Sequence, residues 1–545
     1  MPKPAINAIA PVALVGLLLT ACQPEMPAEV RSGLVYCSEG SPESFNPQLI
    51  TSGTTIDATS RQLYDRLLDI DPETGEFVPA LATHWERRED GLSYTFYLRP
   101  EVQFHQTDYF TPSRALNSAD VRFSFERVMQ QDHPYHAVSG GEYPYFQTVD
   151  WGNRVTRIAT PTADQVVFYL RQRDSSFLSN LATDFAVIHS AEYAQQLLEQ
   201  NQRQRLDTHP IGTGPFKFRE YRKDVFIRYY RHNNYWGVPS QLEQLVIDIE
   251  PNNAKRMARL LTHECDITAY PRMAELELIS KREDIRVQQQ TSMNVGFWAF
   301  NTSRAPFDDA RVRRALAMAI NRDAILQAVY FGQAEAASTL LPPTSWGHNP
   351  TLVAERYDPD AARQLLSEAG YPYGFTMTIW AMPIQRLYNP NAPRMAEMMQ
   401  ADLARIGVRA SIITLEWNAF RRQLRLGEHD SVLLGWNADN TDPDNFFRPL
   451  LSCNGVNSGT NRALWCDPAF DALLAQALLT DDQAIRRSYY WAAQQYLAEH
   501  LPLLPLAHAK RFQAVNANIG GITINPYGGI DLSKAYKQTA DEDTP

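Results

Sequence analysis

The side chains able to do covalent chemistry in this chain are few, and most are cysteines. Leu19-Thr20-Ala21-Cys22 closes an apolar stretch that runs from Ala5 to Ala21, is interrupted by Asn7 and follows the single charge of Lys3. Small side chains next to a cleavable bond, followed by a thiol, resemble a bacterial lipobox, in which the cysteine is acylated and becomes the new N-terminus. Cys22 is therefore the expected lipidation site. Residues 1–21 read as a lipoprotein signal peptide, and residues 22–33, with two prolines and two glutamates after Cys22, as the lipidated cysteine and its tether. The apolar stretch is too short for a confident membrane span, and no comparable run follows. The expected location is the periplasm, with the protein held to a membrane by lipid alone.

Cysteine usage agrees with export. Cys37, Cys265, Cys453 and Cys466 remain once Cys22 is set aside, and disulfides persist in oxidising compartments. Four cysteines allow three pairings. Closing the short loop between Cys453 and Cys466 contributes about 3 kcal/mol and leaves Cys37 with Cys265. No Cys-x-x-Cys or Cys/His ligand spacing occurs, so no metal is expected.

Catalytic patterns are missing. There is no H-E-x-x-H, no G-x-S-x-G and no nucleophile–base pair at informative spacing. Gly212-Thr213-Gly214 lacks the Lys and Ser/Thr of a phosphate loop and reads as a turn, its glycines permitting positive φ and Pro215 fixing the exit. None of the 12 histidines lies in a haem-ligating motif. No catalytic residue and no cofactor are expected. A formal net charge of −11, from 51 basic and 62 acidic residues, argues against nucleic acid as a partner.

The elements that must position any site are legible in places. With 545 residues, 44% hydrophobic and 21% charged, the chain should divide its core between at least two lobes. Ser93 to Leu98 alternates as a half-buried strand, and Val246 to Ile249 is a second strand candidate. Val312, Ala315, Leu316, Ala319 and Ile320 mark one apolar helix face after Asp308-Asp309. Asp358, Pro359 and Gly370 punctuate another helix, with Leu365, Leu366 and Ala369 inside. Alternating helices and strands in this half predict an α/β layered lobe. The aromatic residues are expected mainly in cores.

Several blocks, in order along nearly all of the mature chain, resemble the peptide-binding proteins of bacterial ABC importers, solute-binding family 5. They include Leu81-Ala82-Thr83-His84-Trp85-Glu86, Ala119-Asp120-Val121, Ile211 to Phe216, Pro306-Phe307-Asp308-Asp309 and Tyr357-Asp358-Pro359. Leu34 to Glu43, Trp380 to Pro383, Tyr388 to Ala392 and Asp442 to Phe447 are similar to the family's dipeptide receptors. Phe447 to Cys453 and Leu464 to Pro468 are similar to its Sap-type members. The four mature cysteines match the family's disulfide positions, whereas the Cys22 lipobox departs from the soluble relatives.

The resemblance implies an α/β, two-lobed periplasmic binding protein of type II-like architecture, with a hinge and an interlobe ligand cleft. Lobe I would comprise residues 34–292 plus 510–537, lobe II residues 293–509, and residues 538–545 a polar tail. It further implies a monomer that captures short peptides and delivers them to the permease and ATPase subunits of an importer. Haem or antimicrobial peptides are the alternative ligands that relatives suggest, and an exported hydrolase is the remote one. A free peptide presents an ammonium and a carboxylate, and each needs an opposite charge once the cleft closes. By the resemblance, Asp439 would take the ammonium and Arg386 the carboxylate. Gly435, Trp436 and Asn437, with a Ser52-Gly53-Thr54 turn, would pair with peptide main chain.

Overall fold

A computed structural model describes residues 33–527 and 529–538. Cys22, the signal peptide, the tether up to residue 32 and most of the polar tail lie outside the described residues.

One strand organises the molecule. Leu503–Asn516 is 14 residues long and almost wholly buried, far longer than a usual strand. Its first half pairs with Asn294–Phe300 and Ala334–Ala336, and its second half with Ile285–Thr291 and Ile267–Ala269. On one side the sheet continues through Ser431–Asn437 and Thr376–Ala381 to Arg409–Ile413. On the other it continues through Gly33–Ser38, Gln244–Ile249 and Phe226–Arg231 to Phe216–Arg222. The parallel neighbours Thr376–Ala381, Arg409–Ile413 and Ser431–Asn437 are joined by helices Ala392–Ala404 and Trp417–Arg425, the crossover that parallel pairing requires.

The apolar residues form separate cores. One contains only residues between Met293 and Ala509. A second, built on the antiparallel sheet Ala82–Arg87, Ser93–Leu98, Gln165–Leu170 and Val155–Thr162, runs from Leu49 to Ile211. A third joins Leu34 and its sheet neighbours to Val515 and the chain beyond it. The core of residues 293–509 faces the other two across a cleft that hydrogen bonds bridge. Arg448 donates to the Val149 carbonyl at 3.1 Å, Ser175 N to Leu478 O at 3.0 Å and Asn440 to Ser179 O at 3.3 Å.

Local signals in the chain lead to the observed elements. Ser93–Leu98 and Gln244–Ile249 are strands. Asp309 caps helix Ala310–Ala319 and Asp358 caps helix Pro359–Glu368, each side chain accepting from a first-turn N–H. The inner face of the latter helix is Ala362 and Leu366, with Leu365 and Ala369 only partly covered. Gly212 and Gly214 are structural for another reason than positive φ, which neither adopts. A Cβ on Gly214 would lie 2.5 Å from the Leu63 carbonyl carbon, and one on Gly212 would overlap the Leu63 oxygen. Only glycine lets these two segments touch. Cys37 is bonded to Cys265 and Cys453 to Cys466, with Cα separations of 5.9 and 4.4 Å.

Candidate functional site

The cleft encloses a cavity of about 320 Å³, the size of a small-ligand site. Its walls come from both sides of the central strand. Of the residues expected there, Asp439, Arg386, Gly435, Trp436, Asn437, Ser52 and Gly53 all line it. Thr54 lies outside the lining, with its methyl group turned toward Gly40. The segment that begins at Gly53 is an 11-residue helix rather than a turn. It cannot pair with a peptide as a strand would, and presents a helix start instead.

Asp439 sits just after strand Ser431–Asn437, in the loop leading to helix Asp444–Leu451. Asn445 on that helix holds it. The Asn445 amide oxygen accepts from Asp439 N at 3.0 Å and from Trp436 Nε1 at 3.2 Å, while its amide nitrogen donates to Asp439 Oδ2 at 3.3 Å. No cation pairs with Asp439 among the described residues. Protein surrounds the carboxyl on most sides, and solvent reaches it through the cavity. Burial pushes its pKa up to about 7, the Asn445 hydrogen bond opposes this, and the charge of Asp184 adds to it. An acid whose pKa burial raises, facing a cavity, is short of a positive partner. Trp436 packs on the neighbouring core with one face and lines the cavity with another.

Arg386 stands in a tight turn in which Arg386 and Asn389 exchange backbone hydrogen bonds at 3.1 Å. Tyr388, inside this turn, fixes it to the sheet. Its carbonyl accepts from Tyr330 at 2.8 Å, and its ring lies where a Cβ on Gly435 would be. Gly435 is paired with Gly296 on the next strand, and together they leave a hollow for Tyr388. Beyond Leu433, the edge of strand Ser431–Asn437 that faces Thr376–Ala381 has no strand partner among the described residues. Leu434 to Asn437 can therefore receive an added strand.

The opposite wall holds charged groups that sequence reasoning missed as site residues: Glu39, Asp57, Asp184 and Arg511. Arg511 donates to the Asn525 and Gly529 carbonyls at 2.7 and 2.9 Å, and its guanidinium lies 5.7 Å from the Tyr270 ring centre. Burial pushes Asp57 up to about 7, against the pull of Arg511 and with the charges of Glu39 and Asp184 adding to the rise. A charged residue inside the otherwise buried strand Leu503–Asn516 was the one available signal for Arg511. Glu39 lies 3.5 Å from Arg386, so it competes with any ligand carboxylate for that guanidinium. Glu39→Gln should tighten binding of a carboxylate ligand about three- to tenfold, and Arg386→Ala should weaken it by about 2–5 kcal/mol, both read by calorimetry. Weaker binding in Glu39→Gln would instead make Glu39 the group that orients Arg386.

Residues 76–458 match the family described as bacterial extracellular solute-binding proteins, family 5 middle. The chain is 44% identical over 495 residues to the dipeptide-binding protein of Escherichia coli K12, covering 91% of this chain and 92% of that one.

The protein is a family 5 solute-binding protein.

This family 5 protein is also 40% identical to the probable ABC transporter periplasmic-binding protein SapA of E. coli K12, over 95% of each chain. Its fold is similar to that of the dipeptide-binding protein of Pseudoalteromonas sp. SM9913, solved in complex with Met-Leu. The TM-score is 0.90 and the identity 51%, covering 93% of this chain and all of the other. The two-lobed architecture expected from the sequence is therefore the architecture of this protein.

Proposed function

We infer that this family 5 protein is an extracytoplasmic receptor that captures di- and short peptides by their charged termini and hands them to the permease of an ABC importer. The observation that carries this reading is that an acid meeting no cation among the described residues, Asp439, and an arginine, Arg386, line one cavity beside a strand edge with no strand partner among those residues. An ammonium satisfies the acid, the guanidinium fork satisfies a carboxylate, and main chain pairs with main chain between them. Relatives named for dipeptides and for peptide transport support the same ligand class.

Residues 34–292 plus 510–537 form lobe I on this reading, and residues 293–509 form lobe II. The chain then crosses between lobes near Thr291–Asn294 and Ala509–Lys510, where the central strand changes partners. Neither disulfide spans these crossings, so the lobes can part about them to admit ligand. Lipid on Cys22 keeps the monomeric receptor at a membrane in the periplasm, within reach of its permease. It binds its ligand without chemical change.

Calorimetry of the purified protein with di- and tripeptides tests the proposal. Heats fitting one site at micromolar or tighter affinity are expected. Silence with every peptide would defeat the reading, and hydrolysis of the peptides during the titration would replace a receptor with an enzyme.

A further inference from the structure

Arginines other than Arg386, the residue read above as holding a dipeptide's carboxylate, also line the cavity. Arg462 opens onto it from the loop closed by the Cys453–Cys466 bond, next to Arg421 and Arg425 of helix Trp417–Arg425. Arg421 lies 3.7 Å from Glu43 and Arg425 lies 3.4 Å from Glu142, both in exposed pairs. Exposed pairs of this kind bind weakly. No acid and no hydrogen-bond acceptor meets the Arg462 guanidinium among the described residues. Its charged neighbours are the other two arginines, and burial together with their repulsion pulls its pKa down to about 10.

The loop holds this arrangement firmly. Asn461 donates to the Ser452 and Trp465 carbonyls at 3.1 and 2.7 Å and accepts from Ala463 N at 3.1 Å. His429 Nε2 meets the Arg462 carbonyl at 2.7 Å. Gly459, at φ +73°, leaves room for the stem of Arg425. Trp417, Pro449 and Leu450 give the cavity apolar walls, which strengthen any ion pair formed inside it. Three guanidiniums kept together in a partly desolvated pocket repel one another, and an anion sharing the space would offset that cost.

We propose that Arg462, with Arg421 and Arg425, forms a second anion subsite of the cavity, which takes a carboxylate of the bound peptide, in the first place an acidic side chain. The inference rests on the peptide-receptor reading and adds a preference to it. Arg386 is already assigned to the terminal carboxylate, so the cluster is left for a side chain. The same chemistry is offered by the C-terminus of a peptide too long to end at Arg386.

Calorimetry with Ala-Glu and Glu-Ala against Ala-Gln and Gln-Ala, and with C-terminally amidated tri- and tetrapeptides, separates these sources. At least one Glu peptide is expected to bind about tenfold more tightly than its Gln counterpart, and the preference should vanish in Arg462→Gln. A penalty for amidation that is seen only in the longer peptides and is lost in Arg462→Gln would support the subsite with the C-terminus as its anion. Equal affinities of Glu and Gln peptides, together with an amidation penalty unchanged by Arg462→Gln, would overturn the inference while leaving the receptor reading intact. Absence of binding by every peptide would overturn both. Arg462→Lys, which keeps the charge, and Arg421→Gln, at a more exposed position, serve if Arg462→Gln lowers the melting temperature. Arg462→Lys should retain part of the Glu preference and Arg421→Gln should reduce it, and an unchanged preference in Arg421→Gln would remove that residue from the cluster.

Discussion

Asp439→Ala is expected to cost about 2–5 kcal/mol of peptide affinity, because a desolvated ammonium would lose its one carboxylate. The effect should be large because the two groups that act on Asp439 are poor substitutes for it. Asn445 is neutral, and Asp184 already serves Arg61 and Arg66 at 3.1 and 3.3 Å. The same group sets a pH dependence. With its pKa near 7 in the free protein, Asp439 must release a proton before it can pair with an ammonium. Affinity should therefore fall as pH drops below 7, by up to about tenfold per unit. It should fall again above about pH 8, where the peptide amine itself deprotonates. Asp439→Asn should abolish the acid limb. If the limb persisted in this variant, Asp57, which titrates in the same range, would be its source.

Asp439 also bears on stability, with the opposite sign to binding. Its folded pKa lies above that of an unfolded aspartate, so between about pH 4 and 7 the folded state holds more protons than the unfolded state. Its contribution is full below about pH 4, declines as pH rises to 7 and is lost above. Asp439→Asn should accordingly stabilise the ligand-free protein at pH 8, by on the order of 1–3 kcal/mol. Thermal melts of both proteins at pH 5 and pH 8 check this, and a variant that melts below the unmutated protein at pH 8 would contradict the burial argument.

Gly435→Ala should damage fold and site together. A Cβ there would overlap the Tyr388 ring and lie 2.5 Å from the Val295 carbonyl oxygen. The ring cannot retreat freely, since the Tyr388 carbonyl is tied to Tyr330 and also lies where a Cβ on Gly296 would fall. Overpacking of this kind costs about 1–3 kcal/mol. Displacing Tyr388 moves the turn that carries Arg386, so affinity should drop at least about tenfold as well. Equilibrium denaturation and calorimetry on the same sample read both effects. A variant with native stability and native affinity would show that the Gly296–Gly435 hollow has slack.

Local features of the chain were readable because their causes lie within a few residues. A carboxylate three residues before the N–H that it caps announces the helix after Asp358. Alternation announces Ser93–Leu98. Asp439 and Arg386 were legible only through resemblance, since by itself an acid among turn residues is a turn residue. Thr54 was misplaced because a Gly-Thr-Thr segment after Ser52 signals a turn as readily as the start of a helix.

Other parts of the site had no local signal. Glu39 meets Arg386 from 347 positions away. Gly296 and Gly435 become one hollow only when their strands align. Arg462 gains its meaning from two arginines on a helix that precedes it and from meeting no acid of its own among the described residues. The caps and the alternating strands follow from residue types and short spacings, because backbone propensity is read over a few positions. Which charges share a cavity, and which of them are left without a partner, was decided by packing across the central strand, because burial and Coulomb energy depend on distance in space and not on distance along the chain.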